Sequence, residues 1–165
     1  MSLILDGSAG VTFPNSTVQA SSGVVLQVVN ATYGTLTSTS TSTLSATGLT
    51  ASITPKFSTS KILVIINAAS AGKNATSSVS ALQLAIFRNS TNVFLISDFI
   101  AYTNTASYNY GCQSAMYLDS PSTTSATTYS LYFSSTGNTG IVYINNYYTS
   151  QANNNSTITL MEIAG

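Results

Sequence analysis

Tyrosine phenols aside, nine side chains in this sequence can do acid–base, metal or nucleophilic chemistry: Asp6, Asp98, Asp119, Glu162, Lys56, Lys61, Lys73, Arg88 and Cys112. There is no histidine. General acid–base catalysis rests on His or on carboxylates held against a reacting group. Two-carboxylate hydrolysis needs paired acids, and metal sites need clustered Asp, Glu, His or Cys. Here the acids are scattered singly. Asp98 and Asp119 are the only acids in the strand-rich middle and so the only pair open to a glycosidase reading. Asp119 opens Asp119-Ser120-Pro121, a turn signature in which an Asp side chain is expected to cap backbone N–H groups. Asp98 and Arg88 flank Asn89–Asn92 and are expected to form a cross-hairpin ion pair, worth little if exposed. Lys56 and Lys61 read as a solvated rim. Cys112 stands alone, which excludes an intrachain disulfide and a Cys-based zinc site. With no His to activate it as a nucleophile, it is expected to be a small buried hydrophobe in a strand. The chain reads as a non-enzyme with no catalytic residues, no cofactor and no metal.

The polarity is carried instead by hydroxyls and amides, with Ser and Thr making up about a third of the 165 residues. Formal net charge is zero. A nucleic-acid partner is therefore not expected, because that binding depends on Lys and Arg neutralising phosphates. Near-zero charge favours association, so the chain reads as part of an assembly. The ten tyrosines are the best recognition candidates, since Tyr offers a large amphipathic contact at low entropic cost. Tyr102, Tyr108, Tyr147 and Tyr148 are the possible partner contacts, with Tyr110, Tyr117 and Tyr143 beside them. Tyr117, Tyr129 and Tyr143 are expected to lie in the core or in a subunit interface.

The elements that must position these residues are strands. The apolar period is two nearly throughout, and no helical pattern of useful length occurs. At 165 residues the chain is the size of one domain with a real core. Leu3-Ile4-Leu5 and Val11-Thr12-Phe13 form a small head with too little apolar surface to stand alone. A composition shift near Ser21-Ser22-Gly23 divides an extended N-terminal arm, 1–22, from a β-sandwich, 23–165. Val24 to Tyr33 reads as a buried strand. Thr35 to Thr47 is of low complexity, yet Thr favours strands and an ordered strand or loop is expected. Leu49, Ala51 and Ile53 share one face. Lys61 to Ala68 is the strongest central strand, apolar on both faces, and Gly72-Lys73-Asn74 is read as the loop after it. Leu82, Leu84 and Ile86 point inward before the Asn89–Asn92 turn. Further strands fall at Val93–Ile96, Tyr108–Leu118, Tyr129–Phe133, Ile141–Asn145 and Ile158–Leu160. About ten short strands with regular turns imply an all-β, antiparallel sandwich, jelly-roll-like. The start MSLILDGSAG has no signal-peptide pattern and no run reaches membrane-span length. Synthesis in a cytoplasm without membrane insertion is expected.

The segment Gly10-Val11-Thr12-Phe13-Pro14-Asn15-Ser16-Thr17-Val18-Gln19-Ala20 resembles an element common in tail-fibre and other virion proteins of tailed bacteriophages. Gly48 to Pro55, Ser58 to Leu63, Tyr117 to Pro121, Thr128 to Ser130 and Ile158 to Ile163 resemble a β-sandwich module frequent in phages of aquatic bacteria. The resemblance implies a virion protein, a head decoration or cement protein or a short fibre or knob, assembled as a homotrimer on other virion proteins. It implies an assembly arm built on Leu3, Ile4, Leu5, Val11 and Phe13. In long fibres the first element lies deep in the chain, whereas here it begins at residue 10, which implies a short protein seated directly on the particle. The alternative from a different class is a fibre-tip module recognising a host-surface glycan through loop Tyr and Asn.

Overall fold

The computed structural model describes the backbone of residues 4–6, 10–12 and 18–19, and all atoms of 23–74, 78–137, 140–146 and 154–165. The first three segments are strands β1 (Ile4–Asp6), β2 (Gly10–Thr12) and β3 (Val18–Gln19), paired as an antiparallel meander. Ten strands follow: β4 (Val25–Tyr33), β5 (Thr37–Thr39), β6 (Ser45–Ile53), β7 (Lys61–Lys73), β8 (Ala81–Arg88), β9 (Thr91–Ile100), β10 (Asn109–Asp119), β11 (Thr127–Thr136), β12 (Val142–Ile144) and β13 (Ser156–Ile163). No helix occurs among the described residues, so none is long and apolar enough to cross a membrane.

Eight of these strands form one antiparallel ribbon folded on itself. β4 pairs with β13, β6 with β11, β7 with β10 and β8 with β9. The pairs nest outward from the β8–β9 hairpin, whose tight turn is made by Asn89 with φ 54°. A positive φ suits Asn, whose short polar side chain tolerates the left-handed region. Wrapping the ribbon yields two sheets, β4-β13-β7-β10 and β6-β11-β8-β9. This is the jelly-roll order, as the sequence pattern leads one to expect. Short β12 and β5 extend the first sheet where β13 leaves β7, with Val142 opposite Lys73. Thr35–Thr47 is thus ordered around β5 and the start of β6.

The core follows the period of two. Leu49, Ala51 and Ile53 of β6 and Tyr129, Leu131 and Phe133 of β11 meet Ile62, Val64 and Ile66 of β7 and Ile158 and Leu160 of β13. Leu82, Leu84 and Ile86 complete it from β8. Burying a side chain of this size stabilises by about 1.5–3 kcal/mol. β4 departs from expectation: it is an edge strand, with Val25 and Val28 exposed. Only its inward Val29, Ala31 and Tyr33 pack on the core. The Tyr33 ring lies across Gly48 of β6, which sits at φ +100° and would drive any Cβ into the ring. Glycine is required there both for the dihedral and for the close approach.

Buried polar groups fix the ends of β13. At its start, Ser156 Oγ donates to Asn145 Oδ1 (2.6 Å) and accepts from the Ala69 amide (2.9 Å), while Asn145 Nδ2 donates to the Tyr33 and Thr35 carbonyls. At its end, Glu162 is fully buried. Its Oε2 accepts from Gln27 Nε2 (2.5 Å) and its Oε1 from the Lys56 amide (2.7 Å). Ser60 Oγ, buried beside the carboxylate, also favours its charged form. Burial alone raises the Glu162 pKa; the donors outweigh it and hold the carboxyl below its ordinary value of 4.5.

Three expectations are corrected here. Asp98 does not pair with Arg88. Instead Arg88 Nη1 spans both oxygens of Asp119 at 2.8 and 3.0 Å, because the ends of β8 and β10, in opposite sheets, face each other across the sandwich. Asp119 is accordingly not a turn cap: it is buried and also accepts from the Tyr129 hydroxyl at 2.6 Å. Lys73 is not in a loop but ends β7, fully buried.

Two outcomes test these buried groups. Glu162→Leu leaves the Lys56 amide unpaired and takes from Gln27 Nε2 one of its two acceptors, the Thr54 carbonyl remaining, and should lower stability at pH 7 by about 2 kcal/mol. The folded pKa of Glu162 is depressed, so its contribution is complete above pH 4.5 and lost as pH falls through the folded value. The gap in Tm between wild type and variant should therefore narrow on acidification; a gap constant with pH contradicts the assignment. At the alkaline end, burial and then the Asp119 hydrogen bond push the Tyr129 phenol up, and burial with neighbouring Tyr143 and Tyr108 pushes Tyr110 to about 12. Raised phenols cost stability as pH climbs from the ordinary value of 10 through the folded value. Absorbance at 295 nm should show a late ionisation step that accompanies unfolding and shrinks by one phenol in Tyr129→Phe. Complete phenol ionisation near pH 10 with circular dichroism intact would contradict it.

Candidate assembly and recognition surfaces

The β9–β10 connection, residues 101–108, carries two of the four tyrosines singled out as partner contacts. Tyr102 and Tyr108 are both exposed, Tyr108 at 56%. Tyr102 packs against exposed Phe99 with ring centroids 5.2 Å apart, and Tyr108 against Tyr110 at 5.9 Å. Tyr110 in turn meets Tyr143 of β12 edge-on at 6.4 Å, and the Tyr143 hydroxyl accepts from Asn74 Nδ2 at 2.9 Å. Tyr147 and Tyr148 lie outside the described residues.

A buried cation positions this connection. Lys73 Nζ donates to the Thr105 carbonyl at 3.1 Å and, at longer range, to the Thr103 carbonyl at 3.5 Å. Its removal from water holds the Lys73 pKa below 10.5. The Val79 amide donates to the same Thr103 carbonyl at 2.9 Å, tying the loop to the segment before β8. Sequence reasoning missed Lys73 because a lysine beside Gly72 and Asn74 looks like a solvated turn. No local signal marked it, since Asn67-Ala68-Ala69-Ser70-Ala71-Gly72 between the apolar run and Lys73 is poor in strand-favouring residues.

The arm residues divide. Ile4, Leu5 and Val11 lie on β1 and β2, where Leu5 is opposite Val11 in the antiparallel register. Their side chains, with all of Leu3 and Phe13, lie outside the described residues.

The two outer faces of the sandwich differ in chemistry. On the β6-β11-β8-β9 sheet, hydroxyls pair across strands: Thr50 with Ser130 at 2.8 Å and Ser52 with Thr128 at 2.7 Å. On the β4-β13-β7-β10 sheet, Val28, Met161, Leu63 and Leu118 stand opposite one another in a row across four strands. Cys112 lies on this outer side and is exposed, contrary to expectation. Its Sγ donates to Asn67 Oδ1 at 2.6 Å. β10 turns Cys112, Ser114, Met116 and Leu118 outward, while Tyr117 and Asp119 face the core.

Both buried carboxylates are hydrogen-bonded through each oxygen. Both oxygens of Asp119 are taken by Arg88 and Tyr129, and both of Glu162 by Gln27 and Lys56. Among the described residues no three His, Cys, Asp or Glu side chains stand close enough to hold a metal ion.

No family model matches the chain, and no curated protein matches it. Among solved structures it is similar to the infectious bursal disease virus VP2 subviral particle, at 13% identity and a TM-score of 0.41, over 99% of this chain and 46% of that one. It is also similar to a structure of the Gt strain of infectious bursal disease virus, at 15% identity and a TM-score of 0.36, over 100% of this chain and 42% of that one. The chain spans less than half the length of either. The likeness is loose, and the jelly roll is established by the strand order of this chain itself.

Proposed function

We propose that the chain is a non-enzymatic structural protein of a phage particle, a head decoration or cement protein or a short fibre or knob. It assembles as a homotrimer through its arm and its sandwich, on the surface of other virion proteins. The observation that carries this reading is the jelly-roll winding, an architecture used by viral capsid and lectin domains, in a chain whose two buried carboxylates are held by neighbouring side chains. Fold alone does not assign a function; the sequence resemblance of residues 10–20 to virion proteins supplies the second support. The mechanism is contact. The apolar arm residues Leu3, Ile4, Leu5, Val11 and Phe13 add strand and side-chain contacts to a neighbour, and the hydroxyl-lined sheet face keeps a nearly uncharged protein soluble. Deleting residues 1–20 should abolish incorporation into particles while far-UV circular dichroism and Tm of the sandwich persist. Unimpaired incorporation would remove the arm from the mechanism.

A second reading has its own observation: exposed Phe99, Tyr102 and Tyr108, the last packed on half-buried Tyr110, in and beside an anchored loop, a surface suited to stacking on sugar rings. This reading makes the chain a host-glycan-binding fibre tip. A glycan array run with wild type and with Tyr102→Ala, Tyr108→Ala, Tyr147→Ala and Tyr148→Ala separates the two. Specific binding lost in these variants favours the glycan reading; an empty array favours the structural one.

A further inference from the structure

We infer that the outer face of the β4-β13-β7-β10 sheet is buried against a second copy of this chain. The face is built by register. Its first row is Val28, Met161, Leu63 and Leu118, and its second is Asn30, Thr159, Ile65 and Met116. Val28 is 55% exposed and Met116 is 70% exposed. Methionine is a flexible, adaptable contact residue, and this one projects beside an open depression of about 220 Å³ lined by Ile65, Asn67, Ser114 and Met116 itself. Exposed aliphatic side chains gathered in one patch mark an interaction site, whereas scattered ones do not.

Size and charge identify the occupant. Four strands about 4.8 Å apart and eight residues tall at about 3.3 Å per residue span roughly 19 by 26 Å, on the order of 500 Å² in projection. A stable interface takes about 800 Å² from each partner, so the face is of the order one copy requires, with the flank of β10 supplying the rest. Among the described residues β10 pairs only with β7, leaving its outer edge continuous with the face. The two rows contain no charged residue, and the next, Thr32, Thr157, Asn67 and Ser114, contains none either. An anionic lipid surface calls for clustered Lys and Arg, and a sugar calls for polar groups at the centre of its site. Lys61, opposite Ile163 in the row below Leu63, stands at the rim of the face; the three rows inside it meet their copy without like-charge cost, and Met116 of one copy can enter the depression of the other. This interface is distinct from the arm.

The test is sedimentation velocity on the full chain at micromolar concentration. Wild type should sediment as an oligomer. Met116→Glu combined with Leu118→Glu should weaken self-association by about 100-fold with circular dichroism and Tm unchanged, since both positions are exposed. Leu95→Glu, exposed on the other sheet, should leave association intact. A monomeric wild type overturns the inference. So does a double variant that associates normally, or a Leu95→Glu variant that dissociates equally. If only Ile4→Asp with Leu5→Asp dissociates the oligomer, this face is not the interface and the arm reading stands without it.

Discussion

Everything in this molecule depends on the thirteen-residue strand β7 being paired along both edges. β10 runs beside it from Ile62 to Lys73, and on the other side β13 and then β12 divide its length. These pairings join residues far apart in sequence, so their loop-closure entropy must be met before they contribute. The alternating Ile62, Val64 and Ile66 meet it by placing three apolar side chains in the centre of the core. Because β13 is held in that groove, β4 is brought next to it, and the chain's first and last sandwich strands close the ribbon.

A protein with so few charges must place each with care, since a buried charge is costly unless it is paired and hydrogen-bonded. Here each buried charge marks a boundary. Glu162 stands next to the last residue of β13, Asp119 ends β10 against Arg88 and Tyr129, and Lys73 ends β7 and gathers carbonyls of the β9–β10 connection. Charge in this fold acts as a set of clamps where strands stop, and the exposed tyrosines of residues 101–108 depend on one of them.

The alternation of Leu49, Ala51 and Ile53, of Leu82, Leu84 and Ile86, and of Tyr129, Leu131 and Phe133 made the sheet positions legible from sequence, because burial on one face imposes a period of two. The partners of charged residues were not legible. Arg88 meets Asp119 from the opposite sheet, and Gln27 meets Glu162 over 135 positions; only sheet packing and long-range register set such pairs. Cys112 was misread for a related reason. On β10 the apolar Met116 and Leu118 share its outward side, while Asp119 is on the inward one. Hydropathy alone assigns that strand the wrong way round. The same reversal leaves aliphatic side chains exposed on the outer sheet face, so the error in reading one cysteine and the apolar surface have a single origin. Of the site residues, Tyr102 and Tyr108 were legible as exposed aromatics, but the lysine that positions them was not.

The hydroxyl pairs Thr50–Ser130 and Ser52–Thr128 satisfy one another within their own face. A surface whose donors are already matched to its acceptors offers a neighbour little to gain by displacing water. If the opposite face meets a second copy as inferred, the pair turns both of its hydroxyl-paired sheets outward. A face consumed by its own copy leaves none for a third, so association through it stops at two.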